Sequence, residues 1–355
     1  MHGAALVQAL KGRFPTASYR GMGGQEMAAA GMELVRTYHS VNVMGFWEVL
    51  KRLRHIRQVM RFLKAQILDF RPDALILIDF PGFNMRMAKW AHRQGIPVVY
   101  YILPQVWAWR SGRARKMGRW VDLPLAILPF EPPFYARYGV DVHYVGHPLV
   151  ERIRRWQAAH PVPAEKSHLV LMPGSRPQEI HHILPRVLEG TRPWHDRMPT
   201  VVVKSAALAV DFYRPLLQPY PAVQLFEGHP YEALAQARAA VVASGTATLE
   251  TALWKVPQVV VYRGGALSYA IARRVVKVPF ISLVNLIAEE KVVEELIQQH
   301  LTPSNVSAAL QGILQGPEAE RMAAGYYTVK QRLSSRNASE VAAEKIAGWV
   351  GERHG

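Results

Sequence analysis

Short apolar runs of strand length alternate with longer helical patterns along most of this chain, and that alternation limits it to a parallel-sheet α/β architecture. Residues 74–79 (Ala-Leu-Ile-Leu-Ile-Asp) are apolar on both faces, as a buried parallel strand requires. Residues 84–94 carry a helical pattern that stops at Gly95, and 97–102, 122–128 and 141–145 predict further strands. The pattern restarts near residue 168, with strand-like runs at 168–172, 200–203, 222–226, 239–243 and 257–262. Parallel neighbours need long, right-handed crossovers, which the helical stretches supply. With 355 residues, half of them apolar, the chain can bury two cores. The polar stretch 157–167 reads as a linker. The expectation is two doubly wound domains facing across a cleft, over residues 1–160 and 161–320, with helices at 321–355 packing back on the first. A helix at His2–Lys11 precedes any strand, whereas a doubly wound domain opens on a strand, so the first domain is expected to lack its first strand.

Composition removes several classes of function. Without cysteine there is no disulfide, thiolate metal site or cysteine nucleophile. No apolar run reaches the roughly 18–20 residues of a membrane span, and residues 1–12 carry no secretory pattern. A net charge of +16 calls for an anionic partner: phosphorylated substrates, an acidic membrane surface or nucleic acid. No nucleic-acid fold signature accompanies the charge, so nucleic acid is not expected.

Four strand-end loops carry candidate chemistry. Ser244-Gly245-Thr246-Ala247-Thr248-Leu249-Glu250 follows a buried strand and opens a helix. Small residues there admit a ligand to the backbone, and the helix N-terminus favours a diphosphate, with Glu250 near ribose hydroxyls. The alternative is that Ser244 and Thr246 simply cap the helix. Pro173-Gly174-Ser175-Arg176, with Glu179, has the same strand–turn–helix form. Arg176 there either neutralises charge on a leaving diphosphate or pairs with Glu179 at the surface. Asp79, in Asp79-Phe80-Pro81-Gly82-Phe83-Asn84, either takes a proton from an attacking hydroxyl or is a turn residue. Trp107 and Trp109, in Pro104-Gln105-Val106-Trp107-Ala108-Trp109-Arg110, stack on a sugar or fill core. Metal sites look poor: no Asp-x-Asp clamp is present, and His181-His182 and His143/His147 lack matching carboxylates.

Residues 43–57 read as an amphipathic helix with a basic face. Met44, Phe46, Trp47, Leu50 and Leu53 supply apolar bulk, and Lys51, Arg52, Arg54 and Arg57 supply charge. That composition suits either an interfacial membrane helix or a core helix with a solvated basic side.

These segments, in this order, resemble the lipid-A-disaccharide synthases. The likeness runs from His2 to about residue 315 and includes Gly21-Met22-Gly23-Gly24, Val43-Met44-Gly45-Phe46, the Asp79 and Trp107 loops, Leu128-Pro129-Phe130-Glu131 and Gly146-His147-Pro148. It continues through the Arg176 and Ser244 loops, Tyr262-Arg263, Ser282-Leu283-Val284-Asn285-Leu286 and Glu295-Leu296-Ile297-Gln298. The wording of the Asp79 and Asn285 motifs is similar to the Bacteroidetes-type branch. The resemblance implies a GT-B fold of two Rossmann-like domains and an inverting transfer from UDP-2,3-diacylglucosamine to 2,3-diacylglucosamine 1-phosphate, with no metal and no other cofactor. It implies Asp79 as base and Arg176 as the group on the leaving UDP. Ser175, Ser244, Gly245, Thr246, Glu250, Arg263, Asn285 and Gln298 are implied at the donor. It also implies peripheral attachment to an anionic inner-membrane surface from the cytoplasm, and leaves room for a homodimer. Family members carry a strand and a Gly-Glu-x-Ser-Gly-Asp loop just before the stretch matched by His2-Gly3-Ala4. Because Met1 directly precedes His2, the expectation is a misassigned start codon or an inactive product. The competing readings are another GT-B UDP-GlcNAc-type transferase or epimerase, and a basic non-enzyme that binds a membrane or nucleic acid.

Overall fold

A computed structural model describes residues 2–37, 48–108, 111–265, 278–333 and 336–354, without the side chains of 48–53, 111 and 354. The chain divides into two units, Met1–Pro148 with Ser334–Gly355, and Leu149–Leu333.

The first unit holds a parallel pair, β1 (Arg20–Gly23) and β2 (Glu33–Thr37). It also holds a parallel sheet in the order β3 (Leu75–Ile78), β4 (Val98–Tyr101), β5 (Leu123–Ala126) and β6 (His143–Tyr144). Alternation along β4 splits its side chains between two cores, because successive residues of a strand face opposite ways. Val98 and Tyr100 join Val59 and Leu63 of helix Glu48–Phe70 and Phe83, Met87 and Ala91 of helix Pro81–Arg93. Val99 and Tyr101 join Leu6 and Leu10 of helix His2–Arg13 and Ala342 and Ile346 of helix Ala338–His354. The helix after β3 begins at Pro81, earlier than its periodicity suggested, since proline is well placed in a first turn. It ends at the expected Gly95 in a Schellman motif: the Ile96 and Gly95 N–H groups donate to the Ala91 and His92 carbonyls, at 3.0 and 3.2 Å.

The second unit is one parallel sheet of six strands, β7 (His168–Met172), β8 (Thr200–Val203), β9 (Val223–Phe226), β10 (Ala237–Ala243), β11 (Gln258–Tyr262) and β12 (Glu294–Ile297). Their spatial order is β12-β11-β10-β7-β8-β9. Counting from β7, that is 3-2-1-4-5-6, the doubly wound dinucleotide-fold order. Helix Pro177–Thr191 and helix Pro303–Gln315 meet at Gly190, where any Cβ would collide with Val306.

Two expected boundaries move. Helix Pro148–Ala159 starts the second unit rather than closing the first. Its Ile153 lies in the second core, and Trp156 packs edge-on to Trp254 at 5.3 Å, so apolar anchoring outweighs the polar look of 157–167. Likewise helix Glu318–Arg332 belongs to the second unit: the Tyr326 hydroxyl donates to the buried Val256 carbonyl at 3.0 Å. Only Ser334–Gly355 returns to the first unit. No helix among the described residues is long and apolar enough to cross a membrane.

Candidate functional site

In the second unit the chain leaves β7 toward one edge of the sheet and leaves β10 toward the other. The carboxyl ends of these two strands therefore flank the switch point where open α/β sheets take ligands. Met172 pairs with Val242, which brings the turn after β7 beside the turn after β10.

The first turn carries Gly174 at φ +111°, and a Cβ there would run into the Glu179 carboxylate. Glu179 Oε2 accepts the Ser175 N–H at 3.1 Å. Glu179 thus fastens the turn, and no ion pair joins it to Arg176 among the described residues. The Arg176 side chain is exposed, while its carbonyl accepts the Ile180 N–H at 3.0 Å at the head of helix Pro177–Thr191.

The second turn carries Gly245 at φ +155°, a backbone that suits glycine almost alone, directly before helix Thr246–Leu253. The capping alternative fails here, because no side chain among the described residues caps this helix. The Ser244 hydroxyl donates away from it, to the Ile281 carbonyl at 3.0 Å. Thr246 is the first helical residue. An uncapped helix N-terminus next to a glycine turn suits a diphosphate.

Glu250 lies on the inner side of the same helix. Its Oε1 accepts the Tyr231 hydroxyl at 2.7 Å and lies 3.8 Å from the Arg152 guanidinium. Burial pushes its pKa up, and the Tyr231 hydrogen bond and the Arg152 charge pull it back. Arg263 donates to the Gln298 carbonyl at 3.0 Å, and the Gln298 side chain to the Gly264 carbonyl at 3.4 Å.

Asn285 is not where a ligand residue would be. It is fully buried, and its amide is saturated by the chain. Nδ2 donates to the Val293 carbonyl and Glu295 Oε1, while Oδ1 accepts the Val292 and Val293 N–H groups, at 2.9–3.0 Å. Its work is to hold the loop after helix Leu283–Ala288, which leaves its amide nothing to offer the donor.

In the first unit β3 runs into two consecutive left-handed residues, Asp79 (φ +48°) and Phe80 (φ +46°). Left-handed backbone outside glycine persists only where its surroundings hold it. Here the Asp79 carbonyl accepts the Asn84 side-chain amide and the Tyr100 hydroxyl, both at 2.7 Å, and the Asp79 N–H donates to the Tyr101 carbonyl at 3.0 Å. The Asp79 side chain is exposed at the carboxyl edge of the sheet.

Glu131 ends the Leu128-Pro129-Phe130-Glu131 stretch. It is a buried carboxylate whose Oε2 accepts the Ile127 and Leu128 N–H groups at 3.2 and 3.0 Å, while Oε1 accepts the Trp107 indole N–H at 3.3 Å. Burial pushes its pKa up to about 7, against the opposite pull of those three donors. A raised carboxyl pKa contributes stability that is complete below about pH 4.5 and lost as pH rises through about 7. Relative to Glu131→Gln, the parent protein is expected to lose up to about 3 kcal/mol across that window. Urea midpoints of both proteins at pH 4.5 and 7.5 check this, and a gap that does not change with pH contradicts it.

Of the expected membrane-facing residues, Met44, Phe46 and Trp47 lie outside the described residues, as do the side chains of Leu50 and Leu53; Trp109, expected to stack on a sugar or fill core, lies outside them too. Arg54 is exposed on helix Glu48–Phe70. Arg152, Tyr231, Glu131 and Glu295 were not singled out from sequence; the available signal was a Glu standing beside apolar strand residues at 295 and before Pro-Pro at 131.

A family model described as lipid-A-disaccharide synthetase matches residues 1–346. Lipid-A-disaccharide synthase from Myxococcus xanthus is 39% identical over 360 residues, covering 97% of this chain and 93% of that protein. The enzyme of that name from Acidobacterium capsulatum is 40% identical over 363 residues, covering 96% and 90%. Among solved structures, UDP-GlcNAc 2-epimerase from Neisseria meningitidis bound to UDP-GlcNAc aligns with a TM-score of 0.56 at 14% identity, over 99% of this chain and 95% of that one. The calicheamicin glycosyltransferase CalG4 aligns with a TM-score of 0.58 at 17% identity, over 98% and 94%. Identities this low speak to the fold alone, and that fold is GT-B.

Proposed function

This chain belongs to the lipid-A-disaccharide synthetase family and is a glycosyltransferase, and we propose that it moves 2,3-diacylglucosamine from UDP-2,3-diacylglucosamine to 2,3-diacylglucosamine 1-phosphate. The product is the β-1′,6-linked tetraacyl disaccharide 1-phosphate, released with UDP. The observation that carries the donor half of this reading is the pairing of the Gly174-Ser175-Arg176 and Ser244-Gly245-Thr246 turns at the switch point of one sheet.

The chemistry follows from the α-linked donor and the β-linked product. Acceptor O6 forms a bond to donor C1 as the bond from C1 to the UDP oxygen breaks, in one displacement with inversion. The Asp79 carboxylate takes the O6 proton, and UDP departs with the bonding pair. Arg176 and the N–H groups at the start of helix Thr246–Leu253 stabilise the charge that builds on the diphosphate. Ser175 lies in the same turn. Glu250, through the oxygen not used by Tyr231, takes ribose hydroxyls, and Gln298 and Arg263 line the far side of the donor. Both substrates are acylated and the acceptor carries a phosphate, so the enzyme works at an anionic membrane surface, reached from the cytoplasm. Exposed Arg54, Arg57 and Arg61 on helix Glu48–Phe70 suit that surface.

The test is UDP release by the purified chain. Release is expected only when both the diacylated donor and the diacylated acceptor phosphate are present. Release from UDP-GlcNAc alone, or interconversion of its sugar, favours an epimerase and overturns the assignment.

A further inference from the structure

Glu295 is the hub of a hydrogen-bond network that ends on the donor loop. It stands in the edge strand β12, opposite Val260 of β11. Its carboxylate gathers donors from one segment: the Ile281 N–H at 3.0 Å, the Ser282 N–H at 2.9 Å and the Asn285 side-chain amide at 2.9 Å. The carbonyl of the same Ile281 accepts the Ser244 hydroxyl at 3.0 Å. Ser282 is itself the cap of helix Leu283–Ala288, receiving the Asn285 N–H at 3.2 Å.

Every one of these partners of Glu295 is a donor, so the position calls for a side chain whose two oxygens both accept, as those of a glutamate do. A glutamine would have to turn its NH₂ toward at least one of them. Asn285 cannot flip to compensate, because its Oδ1 already accepts the Val292 and Val293 N–H groups. Loss of the carboxylate therefore loosens residues 281–285 specifically, and with them the carbonyl that aims the Ser244 side chain.

We propose that Glu295 is a positioning residue of the donor site, which orders the Ser244–Gly245 turn through Ile281 and so sets the affinity for the nucleoside diphosphate. This rests on the reading of that turn as the UDP site. Glu295 touches no reacting atom; it acts on the turn that does.

The experiment is calorimetric titration of UDP into the full chain, comparing the parent with Glu295→Gln, Ser244→Ala and the double variant. Glu295→Gln is expected to weaken UDP binding about fivefold, Ser244→Ala at least as much, and the double variant to lie within about twofold of Ser244→Ala. Effects that multiply overturn the path through Ser244. A Glu295→Gln protein with fewer binding-competent molecules but unchanged affinity in those that bind shows a structural role only, and also overturns it. Unchanged UDP affinity in Ser244→Ala overturns the path through Ser244, whereas a parent chain that binds no UDP sinks the site reading itself, and the inference with it. Hydrogen exchange on the parent protein covers the case of a variant that does not fold. UDP is expected to slow exchange at 281–285 together with 244–250, and unaltered exchange at 281–285 overturns the proposal.

Discussion

Asp79→Asn is expected to lower kcat by about 10³-fold, with the KM of each substrate changed by less than about threefold, because general-base catalysis is worth roughly 10²–10⁴. The substitution is clean for a structural reason. Asp79 sits at φ +48°, followed by Phe80 at φ +46°. Asparagine is among the few side chains that tolerate this left-handed backbone as well as aspartate does. The contacts that hold the strained turn go to the Asp79 backbone, from Asn84, Tyr100 and Tyr101, and the variant keeps them all. Asp79→Ala would add backbone strain to the chemical loss and confuse the two. UDP release at saturating donor and acceptor is the measurement. Turnover within about fivefold of the parent removes Asp79 as the base.

Arg176→Ala is expected to cost about 10²–10³ in kcat, the usual size for one preorganised group on developing charge. The side chain is exposed, and its residue contributes to the fold through a backbone carbonyl that accepts the Ile180 N–H. The neighbouring turn is fastened by Glu179 to the Ser175 N–H and does not depend on the guanidinium. Stability should therefore stay within about 0.5 kcal/mol, as for surface substitutions in general. Arg176→Lys is expected to recover only part of the rate, since an ammonium supplies charge without the two-pronged fit to a phosphate. The split between constants decides the role. A fall in kcat places the interaction in the transition state, whereas a raised donor KM at unchanged kcat means uniform binding and contradicts the assignment.

Strands β7, β8, β10 and β11 of the second unit were legible because they are buried on both faces. Leu169, Val170 and Leu171 in β7 and Ala239 to Val242 in β10 are almost wholly inaccessible, and a continuous apolar run is what such burial leaves in a sequence. Strand β12 was missed because it opens on Glu294-Glu295, and nothing local announces that the Glu295 carboxylate is met by N–H donors from another segment. Strands β1 and β2 were missed for a related reason: they form a small pair with mixed burial. The division falls after Pro148 rather than near residue 160 because Trp156 anchors its helix to the second core, which the polar composition of 157–167 conceals.

At the candidate site the residue types were legible, and their partners were not. Small residues at 174 and 244–246, an arginine beside a turn and an aspartate after an apolar strand are properties of short windows. Ser244, a helix cap in one of its two readings, points to Ile281; Asn285, placed at the donor by the resemblance, has no hydrogen-bonding capacity left to offer. Alternation of strand and helix and the ordered motifs are local quantities, so the parallel α/β class and the family can be read from the residues alone, and the excess of positive charge, an additive quantity, points to an anionic partner. The order in which strands pair, and which buried polar atom meets which, depend on packing between segments far apart in the chain. Only the tertiary structure could therefore set β7 beside β10, bring the two turns to one switch point and make Glu295 the hub behind them.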